Sequence, residues 1–380
     1  MIKRPYWLSL IHAAWSKRPL VWLSGVRRVG KTTLTKMLAG AVCLNCDLPS
    51  DERRLEDPEH FLSSLPQDGI LILDEIHRLK DPSRVMKIAA DVFPRLHVLA
   101  TGSSTLAATG KFRDSLTGRK TVVNLTPVLW TECADGFSTM DLDRRLLNGG
   151  LPEQLLAEKP DHAFFSEWLD GFYARDIQEL FGIRERTGFL NLLRLMLRQS
   201  GGTVDYSALS RECDLSRPTV KAHLEAMSVA CALFALPPFH GGGRREQLKR
   251  PKVYAFDTGF VSFVRGSSEI RDTDRGLLWE HLVLDALRTS AGEHGLGYWR
   301  DKSGREVDFV LSRGRKVEAF ECKINPDRLE TESLRVFRGF YPDGDNFVVS
   351  PGTVKPYVRT LDGMTVHFVG CRELLEKSWN

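Results

Sequence analysis

No apolar run in the sequence approaches the roughly 20 residues needed to cross a bilayer. The opening stretch MIKRPYWLSLIHAAW has neither a clean apolar core nor a cleavage signature. No membrane partner is therefore expected, and the predicted location is the cytoplasm. Cysteine is sparse: seven residues, an odd number scattered through apolar contexts, argue for reduced thiols rather than a disulfide framework. Cys43 and Cys46 have metal-ligand spacing, but a structural zinc site takes four ligands and no second Cys/His pair stands near them. Strong bias is missing as well, since 42% hydrophobic and 27% charged residues exclude a disordered chain. The net charge of +4 is too small to announce nucleic-acid binding, so local clusters must carry that case.

What is present begins with length. A chain of 380 residues exceeds what one compact core usually supports, and two or three domains are expected. The stretch PLVWLSGVRRVGKTTLTKMLAG is an apolar strand running into Gly25-x-x-x-x-Gly30-Lys31-Thr32 at the start of an amphipathic helix. That is a phosphate-binding loop in its proper context. Gly25, Val26, Arg27, Arg28, Val29, Gly30, Lys31, Thr32 and Thr33 are predicted to wrap ATP phosphates. The glycines permit close approach, Lys31 adds positive charge, and Thr32 offers a hydroxyl to Mg²⁺.

A second buried strand, in DGILILDEIHRL, delivers Asp74 and Glu75 to its end. Asp74 is expected to hold the Mg²⁺ shell, and Glu75 to orient and deprotonate the attacking water. A third, RLHVLATGSSTL, ends in small polar residues, among which Ser103 is a candidate γ-phosphate sensor beside Thr101 and Ser104. An ordinary turn explains the same residues.

The order of phosphate loop, LILDEIHRL, LATGSSTL, DSLTGRKTVVNLTPVLWTE, NGGLPEQ and FYARDIQELFG resembles the prokaryotic AAA+ ATPases whose C-terminal half is classed as a domain of unknown function. The resemblance runs over nearly the whole chain. It implies an α/β fold: a doubly wound ATPase domain (1–155), a helical segment with a winged helix (156–265) and a small α/β domain (266–380). In the family pattern the arginine of LTGR falls on Arg119, which makes it a candidate for insertion into a neighbouring subunit's ATP site. A surface arginine before a strand is the plain alternative, and Arg175 in YARDIQEL is a second candidate that could instead pair with Asp176.

Residues 187–237 carry helical apolar spacing and then read as helix, short turn, helix, with Ser216 as a plausible N-cap and Thr219, Lys221 and His223 near the start of the second helix. FALPPFH and KVYAFDT look like strands around the basic stretch GGGRREQLKR, a pattern that reads as a wing. Such a module either docks on DNA, with Arg244, Arg245, Lys249 and Arg250 reaching phosphates, or serves only for packing and protein contact.

Downstream, the helix RGLLWEHLVLDALR carries Glu280, and EVDFVLSRGRKVEAFECK carries Asp308, Glu321 and Lys323. An acid on a helix followed by D…ExK resembles the PD-(D/E)xK nuclease core. There Glu280, Asp308 and Glu321 would hold Mg²⁺ against a scissile phosphate, while Lys323 orients water or offsets developing charge. The alternatives are a salt-bridged hairpin or a nuclease-like domain without activity. The leading expectation is an ATP-hydrolysing DNA-binding motor or remodelling protein with a nuclease-like domain. Its expected partners are DNA and further copies of the chain, a hexamer among the candidate assemblies. A regulatory switch ATPase using the same modules as interaction surfaces is the alternative, and a simple DNA-binding regulator is a third reading.

Overall fold

The computed structural model describes residues 2–102, 116–241, 250–377 and 379. It divides into two compact units: Met1–Thr126 with Asp170–Arg184 and Val229–Cys231, and Pro127–Leu169 with Glu185–Ser228 and Ala232–Asn380.

The first unit is built on five parallel strands, β1 (Leu20–Ser24), β2 (Val42–Asn45), β3 (Ile70–Asp74), β4 (His97–Thr101) and β5 (Lys120–Asn124), in the order β2-β3-β4-β1-β5. Every residue of β1 is buried, which is why its sequence is a continuous apolar run rather than an alternation. Trp7, Ile11, Ala14 and Trp15, spaced for one helical face, are buried on the helix Pro5–Trp15, and Trp15 Nε1 donates to Val98 O at 3.1 Å. On the helix Pro82–Val92, Val85, Met86 and Ala89 join the core, and Asp81 caps the helix by accepting from Arg84 N. Each large apolar side chain taken out of water in this core contributes about 1.5–3 kcal/mol. The strand order sets the site: Leu23 is in register with Thr101, and Leu73 with Ala100, so the C-terminal ends of β1, β3 and β4 lie side by side. That edge is where open parallel sheets bind ligands.

Among the described residues, the second unit holds two sheets. Helices Tyr206–Glu212 and Arg217–Val229 are joined by a short turn in which Ser216 Oγ accepts from Thr219 N at 3.2 Å, as the capping pattern predicts. The antiparallel sheet β6 (Gly202–Thr203), β8 (Lys252–Ala255), β7 (Leu233–Leu236) adjoins them in sequence, in the order β6-β8-β7. His223, on the second of these helices, is buried against Phe189. Of the wing arginines and lysine, Arg244, Arg245 and Lys249 lie outside the described residues, and Arg250 pairs with Asp205 at 2.9 Å.

The larger sheet has six strands in the order β13 (Tyr357–Leu361), β14 (Met364–Val369), β12 (Asn346–Val349), β11 (Lys316–Cys322), β10 (Glu306–Arg313), β9 (Leu296–Arg300). The helix Glu332–Phe340 seats Leu334 and Phe337 against Trp299, Val307, Val310, Val317 and Ala319. In NGGLPEQ, a Cβ on Gly149 would lie 2.0 Å from Asp257 Oδ1, and one on Gly150 would lie 2.3 Å from Arg145 Nη2. Asp257 accepts from Gly150 N at 2.6 Å and Gly259 N at 2.7 Å, so the glycine pair is a packing requirement.

Candidate nucleotide site and a carboxylate cluster

The phosphate loop leaves β1 through backbone that side chains rarely adopt. Gly25 has φ 147°, Arg28 φ 59° and Gly30 φ 98°, and a Cβ on Gly25 would stand 2.5 Å from Leu125 O. Loops of this kind gather N–H groups into an anion-binding concavity. Lys31 Nζ donates to Gly25 O at 2.7 Å and Val26 O at 3.0 Å, folding back on its own loop. Burial pulls the Lys31 pKa down, against the opposing carboxylates Glu75, Asp176 and Asp74 and the Cys231 sulfur. Cys231 itself stands 3.7 Å from Ser24 Oγ at the end of β1.

The two acids at the end of β3 are held differently. Asp74 Oδ2 accepts from Thr32 Oγ1 at 3.0 Å, and Asp74 Oδ1 accepts from Thr101 Oγ1 on the neighbouring strand. Thr101 Oγ1 in turn accepts from Glu75 N at 3.3 Å. Glu75 adopts φ 54°, and its Oε2 stands 3.2 Å from His77 Nδ1, so a neutral His77 protonated at Nδ1 donates to it. Burial lowers the His77 pKa and favours that neutral ring, although Glu75 pulls the other way. Gly102 keeps this corner open: a Cβ there would meet Trp22 Cη2 at 3.1 Å and His77 Nδ1 at 3.3 Å.

A remote segment completes the surroundings. Asp170–Arg184 belongs to the same unit as the loop and contains the π-helical turn Phe172–Gln178. Arg27 Nη1 donates to Gly171 O at 3.1 Å and to Asp176 Oδ2 at 3.4 Å. Arg78, just past Glu75, bonds Glu179 at 2.8 Å and Asp47 at 2.9 Å. Burial raises the Asp176 pKa to about 6, with Arg27 and Lys31 opposing it. Arg175 on this turn is exposed. Arg119 precedes β5, whose Lys120 is level with Leu20 and whose Asn124 is level with Ser24, so it lies at the opposite end of the strands from its own phosphate loop. There it forms two bonds to Asp91, at 2.7 and 3.1 Å. Ser103 lies outside the described residues.

The second cluster sits at the hairpin of β10 and β11 in the other unit. Phe309 is in register with Phe320, which sets Asp308 beside Glu321, and the β9–β10 register shifts between Val307 and Val310, so Asp308 lies in a β-bulge. Asp308 Oδ2 accepts from Cys322 N at 2.7 Å, Glu321 Oε2 from Lys323 Nζ at 2.8 Å, and Glu280 Oε2 from Tyr254 OH at 3.0 Å. Lys252, buried on β8, pairs with Glu306. Burial, then the Asp308 charge, raises Glu321 and Glu280 each to about 8, with Lys323 opposing the shift at Glu321 and Lys252 and Tyr254 opposing it at Glu280. Burial alone would lower Lys323 and Lys252, but the surrounding carboxylates outweigh it and hold both above the usual lysine value.

Residues 17–134 match the family model of an AAA domain. Residues 139–271 match a domain of unknown function, DUF8612, and residues 275–367 another, DUF4143. An uncharacterized protein of Mycobacterium tuberculosis is 28% identical over 349 residues, which is 88% of this chain and 77% of that protein, and one of Mycobacterium bovis matches to the same extent. Among solved structures, a point variant of RuvB from Thermotoga maritima has a TM-score of 0.30 and 16% identity, over 62% of this chain and 90% of that one. A STAND protein with a tetratricopeptide repeat sensor from Pyrococcus horikoshii has a TM-score of 0.27 and 15% identity, over 76% and 45%. Superpositions this loose carry no argument. The AAA match, with the five-stranded parallel sheet, supports a P-loop domain of AAA type and with it nucleotide binding and ATPase activity.

The residues present fit a nucleotide with Mg²⁺: the loop is shaped for an anion, Lys31 stands within it, and Thr32 already meets Asp74, so these last two would hold the ion. At the second cluster, Glu321 Oε1 is a buried acceptor with no hydrogen-bond partner among the described residues. A cation there would be held by Glu321 and Asp308, with Glu280 after it leaves Tyr254. Among the described residues no group of three or more His, Cys, Asp or Glu side chains stands ready to hold a metal ion, and no helix is long and apolar enough to cross a membrane. Sequence reasoning missed the support given by Thr101, His77, Arg27 with Asp176, Tyr254 and Lys252. Of these, Thr101 at the end of its strand, Arg27 in the phosphate loop and His77, two residues after Glu75, carried a local signal, but their pairings did not.

Proposed function

We propose that the chain is a cytoplasmic ATP-hydrolysing, DNA-binding motor or remodelling protein that works as an assembly of copies and carries a nuclease-like C-terminal domain. The observation that carries the reading is the Thr32–Asp74 bond at the mouth of a phosphate loop, with Glu75 next along the same edge. In this reading Lys31 faces the terminal phosphates, Thr32 and Asp74 hold Mg²⁺, and Glu75, steadied by His77, accepts a proton from the attacking water. The organisation belongs to the proposal too: an ATPase domain over 1–155, a winged-helix segment over 156–265 and a nuclease-like domain over 266–380. The pair of helices followed by β7 and β8 supports the winged helix, with Arg217 and Lys221 exposed on the second helix. ATP hydrolysis measured with and without single-stranded, duplex and branched DNA tests it. Stimulation by any of them is expected, and hydrolysis indifferent to all three counts against a DNA-driven role.

A second reading is favoured by the carboxylate cluster, whose acids are bonded to lysines, a tyrosine and a backbone amide of the protein itself. In it the chain is a regulatory switch ATPase, and the C-terminal modules are interaction surfaces without cleavage. DNA-indifferent hydrolysis that responds to a protein partner would select this reading.

A further inference from the structure

A cation of the phosphate loop meets a carboxylate that the loop's own sequence does not supply. Arg27 holds Asp176, 149 residues further along the chain, and the same guanidinium nitrogen holds Gly171 O at the start of the turn. Lys31 also lies within the field of Asp176, together with Glu75. The Asp176 side chain is only 18% exposed, so water screens these contacts weakly. A nucleotide phosphate and this carboxylate would therefore both offer Arg27 negative charge. The turn that presents Asp176 is π-helical from Phe172 to Gln178, a widened form that is rare and recurs at functional sites.

We propose that Asp176 is an exchange ligand of the nucleotide site, competing with the phosphates of a nucleotide for Arg27. This rests on the nucleotide reading of the loop and adds a specific consequence. Part of the phosphate's attraction goes into separating Arg27 from Asp176, so affinity is set lower than the loop alone would give, and product leaves more readily. The turn Phe172–Gln178 is the element that reports occupancy, because binding frees it from the loop.

The test is titration of the full-length protein with ADP and with inorganic pyrophosphate. Asp176→Asn keeps the shape and removes the charge, and is expected to bind both roughly threefold to tenfold tighter, the span of one partly buried ion pair. Asp176→Glu is expected to return Kd toward wild type. Glu179→Gln, which breaks the Arg78 pair on the same segment, is expected to leave Kd alone, so it controls for mere loosening. Backbone amides of 172–178 in the wild type are expected to exchange faster with deuterium when ADP is present. Unchanged or weaker binding by Asp176→Asn, or equal tightening by Glu179→Gln, would overturn the inference. Wild type that binds neither ADP nor pyrophosphate would instead sink the nucleotide reading beneath it.

Discussion

Thr32 donates its hydroxyl to Asp74 across 3.0 Å, joining the residue after the loop lysine to the last residue of β3. The bond matters because Asp74 is also gripped by Thr101 from β4, so three adjacent chain segments agree on where one carboxylate points. Glu75, one residue on, leaves the strand with φ 54° and takes His77 as its partner instead. In the proposed reading one acid serves the metal shell and its neighbour proton transfer.

That division predicts two different failures at one site. Lys31→Ala is expected to lose tight ATP binding, because in the proposed reading it removes the charge that faces the terminal phosphates. Glu75→Gln is expected to bind ATP as wild type does while turnover falls by about 10²-fold or more, the usual worth of a positioned general base. Nucleotide titration beside a phosphate-release assay checks both. Equal affinity in Lys31→Ala and wild type would remove the loop assignment.

The parts of the site that were legible in sequence are those written as short linear patterns. Gly25 to Thr33, and Asp74 with Glu75 after four apolar residues, could be read because strand, loop and acid are contiguous. The Asp308–Glu321 pairing was legible for the same reason, since the short turn between β10 and β11 converts sequence spacing into register. Asp176, Thr101, Tyr254 and Lys252 were not, because their partners arrive from remote segments through packing that no local pattern encodes. The bulge at Asp308 was hidden too, as it is set by β9 and not by the hairpin itself. Helical spacing placed His223 on the second helix but did not give which side of it the core would claim.

The location of Arg119 makes a prediction about assembly. It lies beyond the N-terminal end of β5, a full strand of about 3.3 Å per residue from the edge that carries the loop, so it cannot serve its own ATP site. If it acts on a neighbour, Arg119→Ala is expected to bind ATP but hydrolyse it about 10³-fold more slowly, the scale of an arginine supplied in trans. Mixing Arg119→Ala with Lys31→Ala should then restore part of the activity, because the second variant lends its arginine to the first variant's intact loop. No recovery on mixing would return Arg119 to the surface pair it makes with Asp91.

The carboxylate cluster predicts a pH dependence of stability. Glu280 and Glu321 are raised to about 8, so each favours folding fully below its unfolded value near 4.5, and that contribution is lost as pH climbs through about 8. His281, buried and held neutral between Leu277 O and Ser200 Oγ, is lowered to about 4 and acts in the opposite sense. Its contribution is present above about 6.5 and is lost as pH falls toward 4. Urea midpoints for the second unit's transition are therefore expected to decline from pH 6 to 9 in wild type. Glu321→Gln should decline less, since an amide in place of the acid has no proton to lose. An equally steep decline in Glu321→Gln would show that the loss of stability originates elsewhere.

Asp308 carries the sharpest test of the nuclease reading. It sits in a β-bulge beside Glu321, whose Oε1 is a buried acceptor left unfilled among the described residues, and both acids lie in a different unit from the phosphate loop. If the cluster takes up a cation, Mg²⁺ or Mn²⁺ must displace the proton from Glu321 and draw Glu280 away from Tyr254, so cleavage of DNA is expected to strengthen between pH 7 and 9. Asp308→Ala or Glu321→Ala should abolish the cutting and leave ATP hydrolysis intact, because the two sites use separate residues. Glu280→Ala should weaken cutting without ending it, since a water can stand in for a ligand contributed by a helix. A panel of linear, single-stranded and branched DNA that the wild type leaves whole with either metal would withdraw the catalytic claim, leaving the internally paired acids as the frame of a binding surface. Cutting that survives in both Asp308→Ala and Glu321→Ala would assign the activity to some other group.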